Sequence, residues 1–243
     1  MAERKNDGSR VPTGIEGFDS MIEGGFERQS IMMVAAEAGA GKSTLALQFL
    51  YNGAVNYGEA GLYITFEENR GQVYRHMKRF GWDFEKLEKE GKFRFMQYQP
   101  HEVEKFFNDG TIIEDVVRDY KIKRIVIDSV TSFALLFENE YKRRLSILQL
   151  FNNIKKWGVT ALLTSEGEIT PQGDMKARFG AEFLADGFIA VHSIRRKEIR
   201  DFALEVVKMR GTNHMRKMVP FKLIDEQGIV LYPNQPVFGE SSF

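Results

Sequence analysis

The chain contains no cysteine. Disulfides, thiolate metal sites and cysteine nucleophiles are therefore excluded, and the absence fits a reducing compartment. Neither sign of charge is in excess: Lys and Arg total 34, and Asp and Glu total 34. A balanced chain is not a general polyanion binder, although local basic patches remain open. Long apolar runs are missing, and none approaches the roughly 18 residues that a membrane span requires. The start, MAERKNDGSR, has no apolar region behind it, unlike a secretory leader. These absences point to a cytoplasmic protein with no membrane partner. The sequence shows no repeat and no low-complexity tract. What remains is 243 residues, 43% of them hydrophobic. A chain of that size buries about 70–75% of its unfolded surface without a staple. Residues 1–10 read as a flexible leading tail, 11–233 as one domain and 234–243 as a flexible trailing tail.

Apolar periodicity supplies the elements. SIMMVAAE (30–37), GLYITFEE (61–68), FRFMQY (93–98), RIVIDS (124–129) and VTALLTSE (159–166) read as buried strands. Helical spacing follows at 42–58, at 69–90 with a break at Gly81, at 103–120 with a break near Gly110, and at 139–158. The polar, Gly- and Pro-punctuated stretch 167–180 reads as a loop. Beyond it, two segments running to Pro233 read as strands joined by tight turns. Strands alternating with helices imply an α/β fold with a mostly parallel sheet, extended by antiparallel hairpins.

Between the first strand and the first helix stands AEAGAGKST. Gly39 and Gly41 let backbone N–H groups approach phosphate oxygens, and the helix beginning near Lys42 offers its positive end. The cradle comprises Glu37, Ala38, Gly39, Ala40, Gly41, Lys42, Ser43 and Thr44. Lys42 would reach the β and γ phosphates of ATP, and Ser43 would ligate Mg²⁺. The strict pattern wants glycine at position 36, where the chain has Ala36. An alanine there needs only a negative φ. The competing reading is a plain Gly-rich turn. Asp128 ends the RIVIDS strand, and Mg²⁺ beside Ser43, directly or through water, would justify an acid there. Glu67 and Glu68 follow GLYITF at the carboxyl edge of the sheet, where one could orient or deprotonate an attacking water. Alone they would read as a solvated acidic turn. In VKMRGT, Lys208 and Arg210 alternate along a strand and share a face. They suit either a clamp on the γ-phosphate or a basic sheet edge that guards against aggregation.

With these four parts in order, the chain resembles the KaiC-type branch of the RecA-like P-loop ATPases, and above all its single-domain archaeal members. The likeness runs from about residue 11 to about 233. VPTGIEGFDSMIEGGF is similar to that family's leading segment, AEAGAGKST to its Walker A, TFEE to its acid pair and RIVIDS to its Walker B. TALLTSE is similar to the sensor strand, RFGAEFLADGFIAV to the strand after the loop, and LEVVKMRGTNH to the trans-acting basic segment. The resemblance implies a ring, typically a hexamer, with ATP or ADP between neighbours. Lys42, Ser43 and Asp128 would serve the subunit's own nucleotide, Glu67 and Glu68 would hold the acid positions, and Lys208 and Arg210 would reach the neighbour's γ-phosphate. There are departures. Gln29 stands where the family commonly has glycine, which implies a changed turn and an intact fold. Glu182 and Phe183 replace the Ser-Thr pair that the clock member autophosphorylates, which argues against an autokinase; Thr164, Ser165 and Thr170 remain distant candidates. The clock protein has two such domains, and this sequence has one.

Other clusters carry less. His76, His101, His192 and His214 lack metal-ligand spacing and read as surface or packing residues. SIRRKEIRD (193–201) and Lys142, Arg143 and Arg144 could contact single-stranded DNA or another polyanion, with solvated surface charge as the plainer reading. Phe133, Phe137 and Phe151 fit a core. The expected function is a Mg²⁺-dependent ATPase. The alternatives are a nucleotide-gated scaffold for a protein partner and a recombinase-like DNA binder.

Overall fold

The computed structural model describes residues 8–99, 102 and 110–237. His101, the first part (103–109) of the helix expected over 103–120 and the outermost tail residues lie outside the described residues. Strands β1 (Arg10–Val11) and β2 (Phe26–Glu27) form a short antiparallel ladder. The main sheet contains β3 (Ile31–Ala36), β4 (Gly61–Thr65), β5 (Phe93–Gln97), β6 (Arg124–Asp128), β7 (Thr160–Ile169), β8 (Met175–Ala177), β9 (Gly187–Arg196), β10 (Ile199–Met209), β11 (Val219–Ile224) and β12 (Gly228–Leu231). Its order is β12-β11-β10-β9-β3-β7-β6-β4-β5, with β8 on β7. The strands from β9 to β5 are parallel, and β10 to β12 extend the sheet as antiparallel hairpins.

Side chains alternate across the sheet with period two. Met32, Val34 and Ala36 face one hydrophobic layer, and Ile31, Met33 and Ala35 face the other. The first layer is closed by α1 (Lys42–Asn56), α2 (Arg70–Met77) and α3 (Phe84–Lys89), the second by α4 (Gly110–Asp119), α5 (Val130–Leu135) and α6 (Glu140–Trp157). The helix ends follow side-chain chemistry. Asn69, Asp83, Ser129 and Asn139 each accept a hydrogen bond from a first-turn N–H. Gly158 takes φ +64° where α6 stops.

The expected loop over 167–180 is corrected. Strand β7 continues to Ile169 and pairs with β8, Gly167 opposite Ala177 and Ile169 opposite Met175. Met175 and Ala177 turn inward while Lys176 turns out. Thr170 closes the turn, its N–H donating to the Asp174 carbonyl at 2.8 Å. Three residues of alternation, flanked by Pro171 and Gly173, are too few to register as a strand by pattern. Residues 178–183 then form 3-10 turns interrupted by a kink, where Phe179 (φ +65°) and Gly180 (φ +67°) are left-handed. Gln29 adopts φ +63°, the left-handed conformation that glycine favours, and its N–H donates to the Thr160 hydroxyl at 3.0 Å.

One buried charge ties α1 to the sheet. Arg124, at the start of β6, is fully enclosed. Its guanidinium meets Glu59 at 2.7 Å, donates to the Phe49 carbonyl at 2.9 Å and lies 4.6 Å from the Phe49 ring centroid. Burial pulls the guanidinium below its usual range, with Glu59 opposing. Gly53 makes the room: a Cβ there would lie 2.5 Å from Arg124 Cδ. In an open helix, Gly→Ala would stabilise by roughly 1 kcal/mol. Here the overlap, at about 1–3 kcal/mol for overpacking, outweighs that gain. Gly53→Ala should therefore lower unfolding stability by about 1–2 kcal/mol, read from the denaturant midpoint. An unchanged or raised midpoint would show that Arg124 can move aside.

Candidate functional site

The parallel strands bring their carboxyl ends to one edge. Register places Val34 of β3 opposite Thr164 of β7, and Thr65 of β4 opposite Asp128 of β6. Past this edge the chain turns through Glu37–Gly41 into α1. Ala36 is still strand, paired with Glu166 and Val191, and its φ is not positive. The sheet sets its conformation, and glycine is not required. Gly39 (φ +80°) and Gly41 (φ +93°) lie in the left-handed region, so their backbone geometry, not crowding, calls for glycine. Ala38 is exposed, whereas Ala40 is buried, with its N–H donating to the Glu37 carbonyl. Lys42, Ser43 and Thr44 occupy the half-buried first turn of α1. A helix start has N–H groups without intrahelical partners and a positive dipole end, which together attract anions.

Asp128 is 5% exposed. Tyr63 donates its hydroxyl to Asp128 Oδ2 at 2.7 Å, and the Thr164 hydroxyl donates to Oδ1. The Tyr63 phenol is pushed well above the usual tyrosine range, first by burial and then by the Asp128 charge. The two glutamates diverge. Glu67 accepts from the Ser129 hydroxyl at 2.9 Å and from the Ser132 hydroxyl. Glu68 lies 3.7 Å from His76 and lines a pocket of about 430 Å³ together with Ser43, Thr44, Tyr63, Arg75 and Arg79. Hydroxyl and carboxylate oxygens near a helix start are the donor set of a hard divalent cation that shares its ligands with phosphate.

Lys208 and Arg210 sit elsewhere. Met209 pairs with Gly187, and Gly187 with Met32, so both cations lie at the opposite edge of the sheet from the glycine loop. Four strand residues, about 13 Å, separate Met32 from Ala36. Arg210 falls one residue beyond the end of β10, and a bulge lies between Val206 and Lys208; Met209, between the two cations, is buried, whereas Lys208 is half-buried and Arg210 exposed. Lys208 Nζ donates to the Glu182 carbonyl at 3.1 Å, and Arg210 meets Asp186 at 3.4 Å. Burial, then the neighbouring Arg210, pulls the Lys208 ammonium below its usual range.

The other candidate clusters are engaged locally. Arg144 pairs with Glu140 along α6, Lys142 pairs with Glu138 just before it, and Arg143 donates to the Phe137 carbonyl. His192 is buried beside Glu205, and His214 lies against the Met215 carbonyl. Phe133 and Phe151 are core residues, with Phe137 packed against them. No helix among the described residues is long and apolar enough to cross a membrane. Ser129, Ser132 and Tyr63 were not foreseen as site residues. A tyrosine in an apolar strand signals a needed polar partner, but finding that partner requires knowing that β6 lies beside β4.

A parallel α/β sheet with a glycine loop leading from β3 into α1, and an acid closing β6, is a RecA-like P-loop architecture. Comparison with known proteins narrows this. The family model for the KaiC ATPase matches residues 11–236. The circadian clock oscillator protein KaiC of Prochlorococcus marinus is 35% identical over 231 residues, covering 92% of this chain and 45% of that protein. The circadian clock protein KaiC3 of Synechocystis is 33% identical over 243 residues, covering 96% and 48%. The chain thus spans about half the length of these curated relatives. The crystal structure of a KaiC-like protein from the hyperthermophilic archaeon Pyrococcus horikoshii matches with a TM-score of 0.83 at 40% identity, covering 92% of this chain and 99% of that one. The chain belongs to the KaiC family of ATPases.

Ser129 has two tasks, capping α5 through the Ser132 N–H and anchoring Glu67. Ser129→Ala should cost about 1 kcal/mol of stability, the usual worth of an N-cap. Ser132→Ala, which leaves the cap intact, should cost less by thermal unfolding. Equal losses would show that the cap does not dominate.

Proposed function

We propose that the chain binds ATP with Mg²⁺ and hydrolyses it, at sites completed by a neighbouring copy. The observation that carries this reading is the shared edge: the loop Gly39–Ser43, the acid Asp128 and the pair Glu67 and Glu68 follow the carboxyl ends of β3, β6 and β4, parallel strands of one sheet with β7 between the first two. Backbone N–H groups of the loop and the start of α1 would hold the phosphates, and Lys42 would meet the β and γ oxygens. Ser43 and Asp128 supply oxygen donors suited to Mg²⁺, and a buried acid met by two neutral hydroxyls gains from a cation. When bound, Mg²⁺ would offset the charge developing on the phosphate oxygens.

A water then attacks the γ-phosphorus, and the bond to the β–γ bridging oxygen breaks. ADP leaves with that electron pair, and the water proton passes to a carboxylate. Glu67, fixed by two hydroxyls beside Asp128, takes the base role, and Glu68 faces the pocket that Ser43 enters. Transfer to Thr164 or Ser165 is disfavoured, because both are fully buried, whereas Thr170 is half-buried in the β7–β8 turn. The placement of Lys208 and Arg210 at the far edge supports a role on a neighbour's γ-phosphate, as in a ring.

Replacing both Glu67 and Glu68 by Gln should stop phosphate release while leaving ATP binding intact. Unchanged release would remove both from the chemistry. The arrangement between copies has its own test: Lys42→Ala and Arg210→Ala proteins, each inactive alone, should recover activity when mixed. Native mass with ATP should then exceed that of one chain. A monomer, or no recovery on mixing, would confine the site to a single subunit. The same assay with single-stranded DNA would expose a DNA-dependent enzyme.

A further inference from the structure

Tyr63 is 1% exposed and yet carries a hydroxyl. Burying a phenol in place of a phenyl ring is costly unless the hydroxyl finds a partner. Its partner is Asp128 Oδ2, at 2.7 Å. The Thr164 hydroxyl donates to the other oxygen. These hydroxyls come from β4 and β7, the strands on either side of β6. Asp128 is therefore gripped from both flanks, one oxygen by each neighbour. A carboxylate has about four acceptor positions, so each oxygen keeps one for a further ligand. The grip fixes the plane of the carboxylate and with it the direction of those remaining positions. Tyr63 also walls the pocket that Ser43 and Glu68 enter.

We propose that Tyr63, with Thr164, is a positioning residue for the cation that accompanies the nucleotide. It sets the orientation in which Asp128 meets Mg²⁺ and so governs the magnesium-dependent share of nucleotide affinity. This rests on the nucleotide reading above. A packing role would act on the fold and on all nucleotide binding alike, whereas a positioning role acts only when the cation is present.

The test is ADP affinity by calorimetry, in Mg²⁺ and in EDTA, for wild type, Tyr63→Phe, Asp128→Asn and the double variant. In EDTA, Tyr63→Phe should bind ADP within about twofold of wild type, and in Mg²⁺ it should bind about tenfold more weakly, the scale of one hydrogen bond to a charged group. In the Asp128→Asn background the same change should do nothing further. Equal weakening in Mg²⁺ and EDTA would overturn the proposal, as would an undiminished effect in the Asn background. If Tyr63→Phe does not fold, Thr164→Val decides, with the same magnesium-specific loss expected. Wild type that binds no ADP in either buffer would overturn the nucleotide reading itself, which the variant comparison distinguishes from failure of the grip alone.

Discussion

Parallel pairing is the constraint on which the molecule depends. Each strand from β3 to β6 must return to the same starting side before the next one pairs, so each is followed by a helix, and the carboxyl ends gather at one edge. Both faces are then covered, and the strands carry little besides apolar side chains until they emerge. Polar chemistry can enter only where the strands end. That is where the glycine loop, Asp128 and the glutamates are found. The antiparallel extension has the complementary effect. Strand β10 runs against β9, so its last residues, and with them Lys208 and Arg210, are delivered to the other edge.

The position of the loop is also set from the far end of α1. The helix begins at Lys42, beside the sheet edge, and its last turns pack on Arg124. Losing Arg124 would strip the Phe49 carbonyl of this donor and leave Glu59 with Arg28 alone. Breaking one partner of a buried pair typically costs about 3–5 kcal/mol. The same helix is thus fixed at one end by a charge in the core, and at the other it presents Ser43 to the site. Gly53 belongs to this arrangement although it lies three helical turns from the loop, because it gives the guanidinium its space.

Much of this was legible in the residues alone. The strand–loop–helix sequence around Gly39 and Gly41 follows from apolar runs and glycine spacing. The parallel core followed from alternation of elements, and the hairpins after Gly187 from their turns. The β7–β8 hairpin was hidden because its second strand is three residues long. The cations over 142–144 follow the plainer reading of surface charge: Lys142 and Arg144 pair with Glu138 and Glu140, and Arg143 donates to the Phe137 carbonyl. The grip on Asp128 was hidden for a different reason. Tyr63 and Thr164 stand about a hundred residues apart, and only the strand order β7-β6-β4 makes them neighbours of one carboxylate.

The separation of cations from the loop bears on control. A charge supplied to the γ-phosphate from outside the subunit contributes about 10³–10⁵ in rate among phosphate-transferring enzymes. On the proposed reading, a lone copy holds every group that binds nucleotide and lacks the groups that speed its cleavage. Binding and turnover then become separable properties: the first is local to one sheet edge, and the second depends on how one copy's far edge meets the next copy's near edge. Small shifts between copies would alter rate far more than affinity, because the loop, α1 and Asp128 are held within one rigid sheet, whereas Arg210 lies just beyond the end of β10 and is 60% exposed at its side chain. A site divided in this way makes hydrolysis a report on assembly geometry.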